Sequence, residues 1–213
     1  MSRKVTREQL MEMIENGDDV RFVDTSGITD MSNLFKNNTT FNQDISRWDT
    51  SNVINMEGMF HGAKAFNQPI GNWNVSKVTD MNHMFHEAEA FNQPIGNWNV
   101  KNVRSMSGMF DGAKSFNQDI SNWDVSNVTS MSWMFDGAKR FNQPIGSWNV
   151  SSEIDMWYIF TNSGMYHIYD FIMKFKDPVK ALMTVLGSRM YGKVKDIPLE
   201  KIDAYLKMRK INE

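Results

Sequence analysis

Hydrophobic and polar positions follow a pattern that repeats along this chain every 25 residues. In the copy that begins at Phe116, Trp123 and Val125 are separated by a single polar residue, as in a short strand with one buried face. From Val128 to Phe135 the apolar residues recur at intervals of three and four, which is typical of helical turns. The pattern therefore predicts one short strand and one short helical segment in each repeat.

The repeat occurs in five copies, and every copy opens with Phe-Asn-Gln followed by a Trp seven residues after the Phe. The copies begin at Phe41, Phe66, Phe91, Phe116 and Phe141, and a degenerate copy over residues 23–40 precedes them. One unit of this length cannot bury its apolar face without a neighbour, so a fixed period is typical of stacked repeats. We predict an α/β repeat solenoid, a leucine-rich-repeat-like right-handed coil whose short strands form a parallel sheet.

Both ends of the solenoid are predicted to be helical caps. Near the N-terminus Thr6 is placed to cap a helix, and Gln9 completes a capping box. After the last copy the period is lost, and three further helices are predicted at 165–175, 178–188 and 198–210. The predicted domains are a cap at 1–22, the solenoid at 23–163, and a helical cap or small helical module at 164–213.

The composition is that of an ordinary folded protein, with 41% hydrophobic and 23% charged residues. Cysteine is absent, which excludes disulfides and thiolate-bound metals. The net charge of -2 predicts no strong attraction to nucleic acid, although residues 1–163 carry 13 Lys and Arg against 19 Asp and Glu, a net of -6. No stretch is apolar enough to span a bilayer, so no membrane insertion is expected. The N-terminal segment has no secretory h-region, which predicts a cytoplasmic location, with the cell surface or a virion as the alternative.

The segment FNQPIGNWNVSKVTDMNHMF combines Phe-Asn-Gln, Trp, two Val and Met-Phe at fixed spacing. In this combination the chain resembles the BspA-like leucine-rich-repeat proteins, a bacterial and viral group, over residues 23–164. The resemblance implies a solenoid used for attachment or partner binding, with no shared catalytic residues. Because viruses carry such proteins, it is also consistent with a chain encoded by a phage or virus.

No sequence motif for catalysis, phosphate binding or a cofactor is recognised, and the same residues recur in every copy rather than converging once. We therefore predict that the protein is not an enzyme and that it has no catalytic residue and no cofactor. His83 and His86 lie one helical turn apart beside acidic residues, but no third fixed ligand accompanies them. No metal site is predicted for this pair.

Two repeated rows of side chains could suggest binding, but both are predicted to be structural. The Asn-Gln pairs recur at the same corner of every copy, so their amides are expected to bond from one repeat to the next. The repeat tryptophans keep strand phase with Val, so they are expected to be buried rather than to stack on sugars.

Binding specificity is predicted at exposed positions where the repeats differ. The candidate partner-binding residues on the strand side are Arg47, Asp49, Asn74, Asn99, Lys101, Asp124 and Asn149. Trp133 has no counterpart in the other copies, and it is either an exposed anchor or packs on the next repeat. The basic last helix is a further candidate, which would meet an acidic partner through Lys201, Lys207, Arg209 and Lys210.

Together these features predict a non-enzymatic protein-protein interaction or structural module whose partner is another protein. The first alternative is a bacterial cell-surface adhesin that binds a host protein or a glycan. The second alternative is an enzyme whose site lies in residues 164–213.

Overall fold

The structure is a computed structural model, and it describes residues 3–151 and 154–164. Within these residues the regular elements are helix α1, Arg7–Glu15, and a short 3-10 helix, Ile145–Ser147. The remaining described backbone consists of turns, irregular segments and isolated parallel bridges. The repeats are therefore held together mainly by contacts between neighbouring copies.

Helix α1 begins and ends as its local sequence requires. The Thr6 side chain accepts a hydrogen bond from the N–H of Gln9, and the Gln9 side chain accepts one from the N–H of Thr6. The predicted helix and its capping box are confirmed. Leu10 and Ile14 are buried on the face that packs into the core, while Gly17 takes up a left-handed conformation with φ of 76° just after the helix.

Parallel bridges join equivalent residues of consecutive repeats. The bridged residues are Asp30, Asn55, Asp80, Ser105, Ser130 and Asp155, each paired with the next. Their 25-residue spacing shows that the register does not slip from one repeat to the next. The degenerate copy takes part through Asp30, and Arg7 Nη2 of α1 donates to the carbonyl oxygen of Ser32 at 2.8 Å. Helix α1 is thus attached to the first member of the stack.

The parallel pairing is shorter than predicted and lies at a different place in the repeat. It occupies single bridge positions after the Trp–Val segment, and no regular strand is assigned among the described residues. In the Trp–Val segment, alternate side chains point into the core while the backbone stays irregular. Apolar alternation therefore reports which side chains are buried, but not whether the backbone is paired.

The predicted helical segment of each repeat is a series of tight turns. Two positions four residues apart have left-handed backbone in each copy, as at Gly58 and Gly62, with φ of 58° and 68°. A positive φ at every fourth residue interrupts a right-handed helix. The N–H groups of these glycines donate instead to the next repeat, to the carbonyl oxygens of Asn82 and His86 at 2.8 and 2.7 Å. The apolar spacing of three and four residues therefore corresponds here to single tight turns rather than to a continuous helix.

The core consists of rows in which equivalent side chains stack on one another. The rings of Phe60 and Phe85 are 5.5 Å apart between centroids and nearly parallel, and Phe66, which opens the next copy, lies 3.9 Å from Phe60. All five repeat tryptophans are buried, with exposed fractions of 2–4%, as predicted. Each also donates its indole N–H, as Trp98 does to the carbonyl oxygen of Ile70 at 3.2 Å. One continuous apolar core runs through the stack.

The Asn-Gln pairs form a ladder of hydrogen bonds along one corner. Oδ1 of Asn67 accepts from the backbone N–H of Asn92 and from Nε2 of Gln93, both at 2.9 Å. The same pattern links the other copies through Asn42, Asn92 and Asn117. The prediction that these amides are structural is confirmed. They satisfy polar groups that stacking would otherwise leave without partners.

Candidate interaction surface

The predicted strand-side residues form one exposed row along the stack, called the exposed row here. Its members are Arg47, Asp49, Asn74, Asn99, Lys101, Asp124 and Asn149, and all of them are exposed. Between the exposed positions, the tryptophans face the core. The alternation of buried and exposed side chains thus presents equivalent positions of successive copies on a common surface.

Local turns orient several members of the exposed row. Oδ1 of Asp124 accepts from both the N–H and the hydroxyl of Ser126, at 3.2 and 2.6 Å. Oδ1 of Asp49 accepts from the N–H of Ser51 at 2.9 Å. These serine hydrogen bonds lower the pKa of both carboxyls, so both are ionised at neutral pH. One carboxylate oxygen of each aspartate therefore already accepts hydrogen bonds from its own turn.

An exposed aromatic ring that the sequence pattern did not single out lies beside one end of the exposed row. Phe22 is 57% exposed, and the guanidinium groups of Arg21 and Arg47 lie 5.2 and 5.9 Å from the centroid of its ring. These distances are typical of cation–π contacts. Phe22 lies outside the Phe-Asn-Gln copies, so the repeat pattern contained no signal for it.

Trp133 packs on the next repeat, as one of its two predicted alternatives required, and it is also exposed. Its ring stacks on Tyr158 of the next repeat, with centroids 6.1 Å apart and planes 6° from parallel, yet it remains 44% exposed. Trp157 is 50% exposed, and its ring lies 6.2 Å from that of Tyr158. We call these three residues the aromatic corner. Trp157 and Tyr158 could have been found in the sequence, because the corresponding positions of the preceding repeats carry Ser132 and Trp133.

Three histidines meet on the turn side of neighbouring repeats. Ring centroids are 4.4 Å apart for His61 and His86, 5.5 Å for His83 and His86, and 6.3 Å for His61 and His83. Nδ1 of His86 lies 3.2 Å from Oδ2 of Asp111. Among the residues that the structure describes, no group of three or more His, Cys, Asp and Glu side chains is arranged to hold a metal ion.

The histidines of this cluster differ in their protonation. Burial lowers the pKa of His61 and of His83, and the positive charge of His86 lowers both further. The hydrogen bond to Asp111 raises the pKa of His86. The Asp111 carboxylate thus favours the protonated form of His86, whereas burial disfavours the protonated forms of His61 and His83.

Acid should lower the stability of the folded protein through this cluster. The substitution Asp111→Asn should make this loss of stability larger. Folded-state pKa values of His61 and His83 lie below those of the unfolded chain, so the stability they contribute is present above about pH 6.5 and is lost as the pH falls. His86 acts in the opposite sense, because its raised pKa contributes stability below about pH 6.5 that is lost as the pH rises. Removing the Asp111 carboxylate lowers the pKa of His86 and reduces this compensation.

The measurement is the urea midpoint at about pH 7 and about pH 5.5, on either side of the ordinary histidine pKa. His83→Gly is the matched comparison, because Gly58 and Gly108 occupy the same left-handed position in neighbouring repeats. It should show a smaller acid loss than the unmodified chain. Equal losses in all three proteins would contradict the assignment of the acid response to this cluster.

The remaining predicted residues, Lys201, Lys207, Arg209 and Lys210, lie outside the described residues, as do the three predicted C-terminal helices. Over the part of the chain that is described, no helix is long and apolar enough to cross a membrane.

Comparison with known families places the chain in one of them. A family described as Mycoplasma protein of unknown function, DUF285, matches residues 6–110 and again residues 92–175. The chain belongs to this family. The two DUF285 matches overlap at residues 92–110, which is expected when one repeat can be aligned with its neighbour. No curated protein and no solved structure matches the chain.

Membership of the DUF285 family supports the coarse prediction of a repeat-containing protein and is consistent with the resemblance to BspA-like proteins. The matches begin at residue 6 and therefore include α1 and the degenerate copy.

Proposed function

We propose that this chain is a non-enzymatic protein-protein interaction module built on a right-handed leucine-rich-repeat-like solenoid. The parallel bridges in unbroken register support the solenoid, because they place every copy in the same relation to the next. The stacked aromatic rows support it as well, since each copy buries its apolar face on a neighbour.

The observation that carries the proposed function is the division between constant and variable positions. Side chains that are the same in every copy are buried, as the tryptophans are, or occupied in the amide ladder. The strand-side positions that change from copy to copy are exposed, as Asp49, Asn74 and Lys101 are. A surface that varies on a constant interior is suited to recognising one extended partner through contributions from several repeats.

The proposal is tested by replacing the four charged members of the exposed row with neutral residues that other copies carry. Arg47→Ser, Asp49→Asn, Lys101→Ser and Asp124→Asn together give residues that other copies already carry at these positions, so the fold should be kept. We expect the full-length variant to melt like the unmodified chain but to lose partners captured from a lysate of the source organism. Captured proteins are quantified by mass spectrometry.

Two further variants make the result specific. Glu12→Gln with Glu15→Gln changes exposed charges on α1 and should leave capture unchanged. Replacing Lys201, Lys207, Arg209 and Lys210 by Gln tests the basic segment. Capture that is lost only in the basic-segment variant, or that survives conversion of the exposed row, would contradict a binding role for the solenoid surface.

A further inference from the structure

Two bulky aromatic residues occupy a backbone position that other repeats give to smaller residues. Trp133 and Tyr158 have φ of 57° and 58°, in the left-handed region. Gly58 and Gly108 hold the same position in earlier repeats, where glycine adopts this conformation without steric conflict. A large side chain in the left-handed region is strained, and such strain is concentrated at functional sites. The last two described repeats therefore keep aromatic rings here against the local backbone preference.

The rings of the aromatic corner form a surface rather than additional core. Trp133 and Trp157 are 44% and 50% exposed, whereas the repeat tryptophans are 2–4% exposed. The N–H of Trp133 donates to the carbonyl oxygen of Trp157 at 2.8 Å, which holds the two backbones together. Stacking on Tyr158 fixes the orientation of the Trp133 ring. The exposed rings are thus held in place in advance, which reduces the entropy lost on binding.

Carboxylates adjoin the aromatic corner. Oδ1 of Asp155 accepts from the N–H of Trp157 at 3.3 Å, and Asp155 is exposed. Asp136 belongs to the same turn as Trp133, because its N–H donates to the Trp133 carbonyl oxygen at 3.1 Å, and its carboxyl accepts from Nδ2 of Asn162 at 3.3 Å. The net charge of residues 1–163 is also negative, at -6. Aromatic faces beside carboxylates attract a cation.

Near the N-terminal side of the stack, another exposed aromatic ring already has cationic partners from the chain itself. The Phe22 ring is covered by the guanidinium groups of Arg21 and Arg47. Among the described residues, no cation lies over the rings of Trp133 or Trp157. Tryptophan is the strongest aromatic partner for a guanidinium, and it has no such partner from the described chain at this corner.

We infer that the aromatic corner binds an Arg-bearing segment of a partner protein, with guanidinium groups over Trp133 and Trp157 and paired with Asp155. This inference rests on the proposed role as an interaction module and specifies the chemistry of one partner segment. A neutral ligand that stacks on the rings would use the same indoles, but it would not need the carboxylates.

The test is fluorescence anisotropy of the full chain with a labelled short peptide of alternating Arg and Gly. Peptides of alternating Gln and Gly and of alternating Glu and Gly serve as comparisons. We expect the Arg peptide to bind, the Glu peptide not to bind, and salt to weaken binding. Trp133→Gly with Trp157→Ser should weaken Arg-peptide binding by about tenfold or more, as expected for loss of interface anchors.

The replacements are chosen so that folding is preserved. Gly108 and Ser132 are the residues that preceding repeats carry at the two positions, and glycine removes the backbone strain at position 133. Asp155→Asn keeps an acceptor for the N–H of Trp157 and should weaken Arg-peptide binding while reducing its salt dependence. Phe22→Ser is the matched control, because it removes an equally exposed ring that already has arginine partners.

Three outcomes would overturn the inference: equal binding of the Gln peptide, unchanged binding after loss of both indoles, or an equal loss in Phe22→Ser. Each can be separated from failure of the proposed function. If the exposed-row experiment shows specific partner capture while the Arg peptide does not bind, only the aromatic-corner inference fails. If no partner depends on the solenoid surface, the proposed function itself fails.

Discussion

Replacing Trp98 by Ala should lower the free energy of unfolding by about 3–5 kcal/mol. The Trp98 side chain is 3% exposed in the middle of the stack, where its ring lies 6.3 Å from that of Phe85. Neighbouring repeats above and below prevent collapse of the cavity, and the Ile70 carbonyl oxygen loses the indole N–H that it accepts. Chemical denaturation followed by far-UV circular dichroism measures the change.

Two comparisons separate the contributions to this loss. Trp98→Phe keeps an aromatic ring but removes the N–H, so it should cost about 1–3 kcal/mol through the unsatisfied carbonyl and the smaller ring. Trp133→Gly should change stability little, since the exposed ring stacks on Tyr158 but occupies a strained backbone position. A loss in Trp98→Ala no larger than that in Trp133→Gly would show that the tryptophan row does not hold the stack together.

Replacing Gly96 by Ser should lower the free energy of unfolding by about 1–3 kcal/mol, the range for overpacking. A Cβ atom at Gly96 would meet the backbone carbonyl oxygen of Asp119 in the next repeat. A backbone atom in a stacked copy cannot move aside as a flexible side chain can. Because one copy contacts the next along the whole array, the shift would be passed to its neighbour. Denaturant midpoints measured with and without the substitution give the magnitude.

Serine is nevertheless found at this position in two other copies, always with a particular neighbour. Ser46 and Ser121 follow Asp44 and Asp119, whose Oδ1 atoms accept from the serine N–H groups at 3.0 and 2.9 Å. In the glycine copies the residue before the turn is proline, as in Pro94 with Gly96. We expect Pro94→Asp to recover much of the stability lost in Gly96→Ser, because the pair then forms the same aspartate-held turn.

A double-mutant cycle over Pro94 and Gly96 tests this coupling. A coupling of about 0.5–3 kcal/mol is expected for residues that share one turn. Independent effects that simply add would contradict the view that each copy contains one of two alternative, internally matched turns. With additive effects, each residue of an Asp-x-Ser or Pro-x-Gly pair could be replaced without regard to the other residue of the pair.

The candidate surface could be predicted from the sequence only in part. The exposed row follows from strand alternation, because Trp123 and Trp148 are buried and the residues between buried positions must face outward. The histidine cluster could be predicted in part. His61 and His86 occupy equivalent positions one repeat apart, so stacking brings them together. The spacing of His83 and His86 within one repeat indicates only that these two lie on the same turn, and it does not include His61.

Other features required the folded backbone. The contacts of Arg21 and Arg47 with Phe22 depend on where the chain enters the stack, and no period predicts that. The left-handed conformation of Trp133 is also not evident from its own residue type, because tryptophan ordinarily avoids it. It becomes visible only by comparison with the glycines that hold the same position in other repeats.

The sequence by itself determined the period, the identity of the buried rows, the N-terminal cap and the structural role of the amides. Each of these depends on residue type and spacing repeated in several copies, so a local error is averaged out. Only the tertiary structure decided how the backbone meets that pattern. It placed parallel pairing at single bridges, and it replaced the expected helical segments by left-handed turns whose N–H groups bond to the next repeat. The physical reason is that side-chain spacing specifies which residues must be buried, whereas the partner of each backbone N–H is set by the neighbouring copy.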